Sequence, residues 1–387
     1  MRKVVIQRDD FAVDSALPET LKELDVTVLT TTALSRLNVP ERLDSLRITW
    51  LDATASSIFS DLVSRDPVSL HVVAPACRFF DLSRSTRLRA LHVEANISSL
   101  DDILLPPSTR EGLEALTMDA PSFHLLADEL ASAFPNLLTL TLRRSTVAWR
   151  PRTHLPPRLH TLVLEEMRLP AIDLGAHHAL RHVNITRCGL TSLKYVILPP
   201  HLEELHLADN ALTQLDRLGK LPVTSLTLDG NRLQRLLLRH LPSRLRTLSA
   251  RENLLKEIHF AGHSHLQRLD VSRNPIRHVN AWQIPPSLRD LRLAGGALRQ
   301  LSLVDPLRPQ LEVLHVSFDS GPCWLDLRGA PQLQFGVVLT SSNCTLEKSA
   351  HPSWVPQRWL ELSDEGATIS CSPPLYTDLA LDAAHFI

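Results

Sequence analysis

The chain repeats itself. LEELHLADNAL at Leu202 returns as VTSLTLDGNRL at Val223, LRTLSARENLL at Leu245 and LQRLDVSRNPI at Leu266, at spacings of 21, 22 and 21 residues. Upstream copies begin at Leu180, Leu159, Leu137 and Leu113, weaker ones at Leu88, Pro67, Leu43 and Leu21, and downstream ones at Leu288, Leu311 and Leu333. A unit this short buries its apolar side only against its neighbours, so the chain is expected to stack as a solenoid rather than close around one core. The period also explains the composition. Leucine supplies 75 of 387 residues, against 12 glycines and 21% charged residues, which excludes collagen-like, linker-like and charge-driven disordered chains.

Within LxxLxL, apolar and polar residues alternate as side chains do across a strand, so each unit is expected to supply one short parallel strand with its leucines inward. Asn210, Asn231, Asn253 and Asn274 stand at the ninth position, and Cys188 occupies the same slot one unit earlier. An asparagine there can bond the backbone groups that a tight bend would leave unpaired. LPPRL, LPPHL, LPSRL and IPPSL, at Leu155, Leu198, Leu241 and Ile284, recur every 43 residues and mark alternate units. Their prolines hold extended backbone, so the return segments are expected to be irregular or single-turn. Two longer units carry SSIFSDLVSRD from Ser56 and FHLLADELASAF from Phe123, whose apolar spacing suits short helices.

This pattern, LxxLxLxx(N/C)xL, resembles the leucine-rich repeat family over nearly the whole chain up to about residue 345. The resemblance implies an α/β fold: a leucine-rich repeat solenoid, or horseshoe, with one continuous parallel β-sheet on the concave face and mostly irregular or short helical convex segments. It implies about 15–16 units over residues 1–345 and a C-terminal capping segment over 346–387. Cys188 then reads as structural, since cysteine is the family's accepted substitute for the asparagine. The cysteine-bearing C-terminal flanks of extracellular relatives imply a disulfide between Cys344 and Cys371, and the odd total of five cysteines leaves at least one outside any such pair.

MRKVVIQRDDF already fits the template, so the array starts without a cap, and the chain is expected to be a fragment, an incomplete gene product or one part of a larger assembly. The start has no signal-peptide core and no stretch approaches the ~20 apolar residues of a membrane span. Localisation stays unknown: cytoplasmic is the expectation as written, and extracellular if the start is truncated.

GxSxG, P-loop, HExxH and CxxC signatures are all absent from the sequence, so no enzyme, no cofactor and no metal site is expected. His177-His178 and His263-x-His265 read as polar filler before a strand. Lys and Arg number 41 against 42 Asp and Glu, a net charge of −1 that supplies no overall field for nucleic acid or an anionic membrane. What remains is surface. The expected function is a non-catalytic protein–protein recognition scaffold whose partner is a protein or peptide ligand, with no nucleic acid. Its concave-face candidates are Glu204, His206, Asp229, Arg251, Arg268, Asp270, Asp290 and Arg292. Arg251, Arg268 and Arg292 suit bidentate carboxylate or phosphate contacts, although alternating signs suit cross-strand pairing equally well. Glu94, Asp119, Arg143 and Glu165 form a second candidate set, and neither set contains an aromatic anchor. Two further classes stay open: the ligand-binding ectodomain of a truncated receptor, including one with a kinase, and a regulatory subunit of an intracellular enzyme.

Overall fold

A computed structural model describes residues 3–7, 17–28, 43–50, 66–148, 154–169, 171–215, 218–260, 262–304, 310–318, 321–328, 330, 332–340, 344–349, 358–363 and 366–368. The chain divides into two compact units, Met1–Leu212 with Lys220–Leu226, and Thr213–Gly219 with Thr227–Ile387. Both are leucine-rich repeat solenoids built from stacked parallel strands.

In the first unit, parallel pairing runs from Lys3–Gln7 through Glu23–Val28, Ser45–Trp50, Ser69–Ala74, Ala90–Ala95 and Ala115–Asp119. It continues through Thr139–Arg143, Thr161–Glu165 and His182–Thr186 to Glu204–His206. Register sets apolar residue against apolar residue, as in Leu140 beside Leu162 and Leu162 beside Val183. Leu159, Leu162 and Leu164 are buried while Thr161, Val163 and Glu165 face outward, so the alternation read from LxxLxL is the burial pattern itself. Burying such a leucine is worth about 1.5–3 kcal/mol relative to leaving it in water. On the return side lie short parallel pairs, among them Ile172–Asp173 with Val196–Ile197. The segment from Phe123 forms a strand, His124–Leu126, and a helix, Ala127–Ala133. Residues 56–65, the other expected helix, lie outside the described residues.

In the second unit, Thr247–Ser249 pairs with Arg268–Asp270, then Asp290–Leu293, Val313–Phe318, Phe335–Thr340 and Arg358–Ser363, all in parallel. Parallel pairing thus runs past residue 345, and Gly366–Thr368 adds an antiparallel edge. A second ladder forms on the return side from His278–Asn280, Gln300–Ser302, Gly321–Asp326 and Cys344–Ser349. The return segments here are more regular than proline alone suggests, because in-register stacking lets neighbouring units satisfy one another's backbone. Cys344 lies on the last of these strands, while Cys371 lies outside the described residues.

Tertiary structure adds a periodic feature at the eighth position. Arg144, Glu166, Arg187 and Asp209 in the first unit, and Gly230, Glu252, Arg273 and Gly295 in the second, all have φ between 52° and 66°. For a non-glycine residue this left-handed conformation costs roughly 1–2 kcal/mol. The turn recovers that cost by aiming the backbone N–H at the next unit: Arg144 N–H donates to the Glu165 carbonyl at 3.0 Å, and Gly230 N–H to the Arg251 carbonyl at 3.0 Å.

The ninth-position side chains bind adjacent turns together. Asn253, only 4% exposed, donates from Nδ2 to the carbonyls of Leu228, Ala250 and Arg251, while its Oδ1 accepts the Leu233 N–H at 3.0 Å. Asn274 bonds the carbonyls of Ala250, Val271 and Ser272 and accepts the Leu255 N–H at 3.0 Å. Asn210 repeats the arrangement in the first unit, accepting from the N–H groups of Cys188 and Leu190, each at 3.1 Å. Asn231 donates to the carbonyls of Leu228 and Asp229. At Cys188 a buried thiol fills the slot, its single proton shared between the carbonyls of Leu164 at 3.4 Å and Thr186 at 3.3 Å. Burial pushes that thiol up to about 11, so it stays protonated and keeps its donor.

Candidate functional site

The outward positions of the second unit converge on Asp290. Arg268, Asp290 and Val313 are in register, as are Asp270, Arg292 and His315. Asp290 is 7% exposed and accepts three charge-assisted bonds: from Arg268 Nε at 3.1 Å, Arg292 Nε at 3.1 Å and Arg292 Nη2 at 3.2 Å. One buried carboxylate therefore orients two guanidinium groups. The Arg268 side chain remains 61% exposed, with its Nη donors beyond the Nε contact. Arg251 Nε lies 3.9 Å from Asp270, a looser pair. Asp229 accepts from the Ser249 hydroxyl at 2.7 Å and the Arg251 N–H at 2.8 Å, yet burial raises its carboxyl above the ordinary range. His315, beside Arg292, is held below the ordinary imidazole value by burial and then by that guanidinium. The structure thus brings Arg268, Asp290 and Arg292 into one cluster, sets Arg251 and Asp270 as a looser pair on the preceding rungs, and bonds Asp229 to the Arg251 backbone.

Glu204 and His206 belong to the first unit. Glu204 Oε2 lies 3.1 Å from His182 Nδ1, its in-register neighbour, and His206 lies beside Asn184. Among the second candidate set, Arg143 pairs with Glu165 at 2.8 Å. Glu94 and Asp119 instead meet Arg144, whose guanidinium lies 2.6 Å from Asp119 and 3.2 Å from Glu94. The Asp119 hydrogen bond raises the Arg144 pKa above its ordinary value. Arg144 escaped the sequence reading because it stands at the eighth position, where a regular strand would carry it off the sheet face. Its positive φ returns the side chain to the acids of the two preceding strands.

The first unit also holds an imidazole pair on this face. His71 and His92 are in register on adjacent strands, with ring centroids 3.7 Å apart and planes at 8°. Burial, reinforced by the charges of His92 and Arg47, holds His71 down at about 4. Burial and then Arg143 lower His92 as well. The unfolded chain takes up the His71 proton near pH 6.5, whereas the folded chain resists it down to about pH 4. Its stabilising effect is therefore complete above pH 6.5, declines as pH falls through that window and levels off below it. For a half-exposed ring, discounted for solvent screening, the loss should be about 1–2 kcal/mol. Urea midpoints at about pH 7 and pH 4.5 will show His71→Gln losing less stability on acidification than the parent; equal losses would refute this account.

Among the described residues no group of three or more His, Cys, Asp or Glu is arranged to hold a metal ion. Nor is any described helix long and apolar enough to cross a membrane.

No family model matches this chain, and no curated protein matches it. Solved structures are similar. YopM from Yersinia enterocolitica is 19% identical, with 90% of this chain and 84% of that one covered, at a TM-score of 0.47. An internalin (inlF) from Listeria monocytogenes is 14% identical, with 78% and 92% covered, at a TM-score of 0.51. A chain of the Toll–Spatzle complex of Drosophila is 14% identical, with 84% of this chain but only 61% of that chain covered, at a TM-score of 0.52. At such identities the likeness shows the fold, and the fold is that of the stacked repeat described above.

Proposed function

Starting from a leucine-rich repeat solenoid, we propose that the chain is a non-catalytic recognition scaffold that binds a protein or peptide ligand through the outward sheet face of its second unit. The observation that carries this reading is the Arg268–Asp290–Arg292 cluster. A buried carboxylate holding two guanidinium groups lowers the conformational entropy lost when they bind, and leaves the exposed Arg268 fork to meet a ligand carboxylate. Arg251 and Asp270 extend the same face, and the repeated strands supply a rigid support.

The test is a display selection of peptides against the purified chain, followed by substitution. Arg268→Ala leaves Asp290 paired with Arg292, so the fold survives while binding should weaken by about tenfold, or 1.4 kcal/mol. Selected peptides that bind Arg268→Ala and Arg292→Ala as tightly as the parent would move recognition off this face.

A further inference from the structure

The near-neutral net charge conceals a polarised second unit. On its outward sheet face, acids and bases pair with one another, as at Arg268, Asp290 and Arg292. The return segments differ. Four consecutive ones, residues 232–244, 254–265, 275–287 and 297–304, carry several Lys and Arg but a single acid, Glu257, and acids return beyond residue 304, among them Asp326 and Glu347 on the next two strands of the return-side ladder. Glu257 is engaged by His259 at 3.4 Å.

Three of these cations occupy one position of the repeat. Lys256 and Arg277 stand three residues after Asn253 and Asn274, and Arg299 stands three after Gly296, the residue in the same slot. Successive rungs of a parallel stack are about 4.8 Å apart, so the three form a row of about 10 Å. All three are exposed, with Arg235 exposed one unit before them. Among the described residues none of the three has an ion-pair partner. Like charges in adjacent register repel, so this row is costly unless something anionic covers it.

Aromatic side chains stand beside it. Trp324 pairs in register with Gln300, and its N–H donates to the Arg299 carbonyl at 2.8 Å. Trp324 is 38% exposed, and Trp282, beside His259, is 58% exposed. Exposed tryptophans next to cations that have no ion-pair partner among the described residues have the makeup of a protein-binding hot spot.

We propose that the return side of the second unit is a second docking surface, in which Lys256, Arg277 and Arg299 bind a short acidic polypeptide segment and Trp282 and Trp324 anchor its apolar residues. The extent of the row favours a peptide. About 10 Å matches three or four extended residues, whereas a nucleic acid requires a longer track of phosphate contacts.

The probe is a short labelled Glu/Asp-rich peptide with one phenylalanine, followed by fluorescence anisotropy on the full chain. It should bind, bind more weakly as salt rises, and bind at least about tenfold better than its Gln/Asn analogue. The triple reversal Lys256→Glu, Arg277→Glu, Arg299→Glu should abolish binding without lowering Tm, and the triple glutamine variant should weaken it. Arg268→Ala on the sheet face should have no effect, which separates this surface from the recognition face proposed above. Binding equal to that of the Gln/Asn analogue, or undiminished by the triple reversal, would overturn the proposal. So would a single-stranded oligonucleotide or a phosphatidylserine vesicle that needs the three cations when the peptide does not bind.

Discussion

Asn253→Ala will lower the unfolding free energy by about 3 kcal/mol, close to the cost of emptying a core position. The side chain is buried and its amide donates to three carbonyls, those of Leu228 at 2.9 Å, Arg251 at 3.0 Å and Ala250 at 3.3 Å. Its oxygen takes the Leu233 N–H. Alanine leaves the buried Leu233 N–H without its acceptor, an orphan that costs about 1–3 kcal/mol unless water reaches it, and strips one bond from each of three carbonyls, which keep Asn231, Asn274 and the Gly230 N–H as donors. Asn253→Asp should be worse at neutral pH, because a carboxylate would replace the donor that faces three carbonyl oxygens. Urea unfolding of the parent, Asn253→Ala and the exposed control Leu254→Ala will separate lost bonds from lost surface. A drop below about 1 kcal/mol for Asn253→Ala would mean that water replaces the amide and that the ladder is not a principal tie between turns.

Completing the repeat at its next rung will damage the protein. The template places asparagine at residue 296, and a designer guided by the pattern would install it. Gly296→Asn is nonetheless expected to cost about 2–3 kcal/mol. A Cβ at residue 296 would sit 2.5 Å from the Asn274 carbonyl oxygen, a backbone atom that cannot rotate away. The adjacent turn is already bonded in another way, with the Ala294 N–H donating to the Ser272 hydroxyl at 3.2 Å and the Gly295 N–H to the Ser317 hydroxyl at 2.5 Å. Gly296→Ala should show most of the same loss, since the clash is at Cβ and not in the amide. Equal urea midpoints for the parent and Gly296→Ala would show that the backbone relaxes and that the asparagine ladder could extend by one unit.

Much of the candidate site was legible in advance because strand alternation assigns every residue of LxxLxL to one face. Arg251, Arg268, Asp270, Asp290 and Arg292 were assigned to the outward face in this way, and register sets Arg268 beside Asp290 and Asp270 beside Arg292. Their partners were not legible. Asp290 faces an arginine on its own strand and another on the neighbouring strand, and which one it binds depends on rotamer and burial; the structure has it bind both. Arg144 was missed because the template treats the eighth position as a spacer. The exposed tryptophans were missed because Trp282 and Trp324 lie in return segments with little repeat signal.

The solenoid, the strand positions, the inward leucines and the asparagine slots are all written in the order of residues. Each follows from a period of 21 or 22 residues acting on neighbours in the chain, and a periodic pattern has few ways to bury its apolar face. The left-handed eighth residue, the shared carboxylate of Asp290, the return-side ladder and the close approach that keeps residue 296 a glycine emerge with the fold. These depend on distances between side chains and backbone of different units, separated by about twenty residues in sequence but by about 5 Å across the stack.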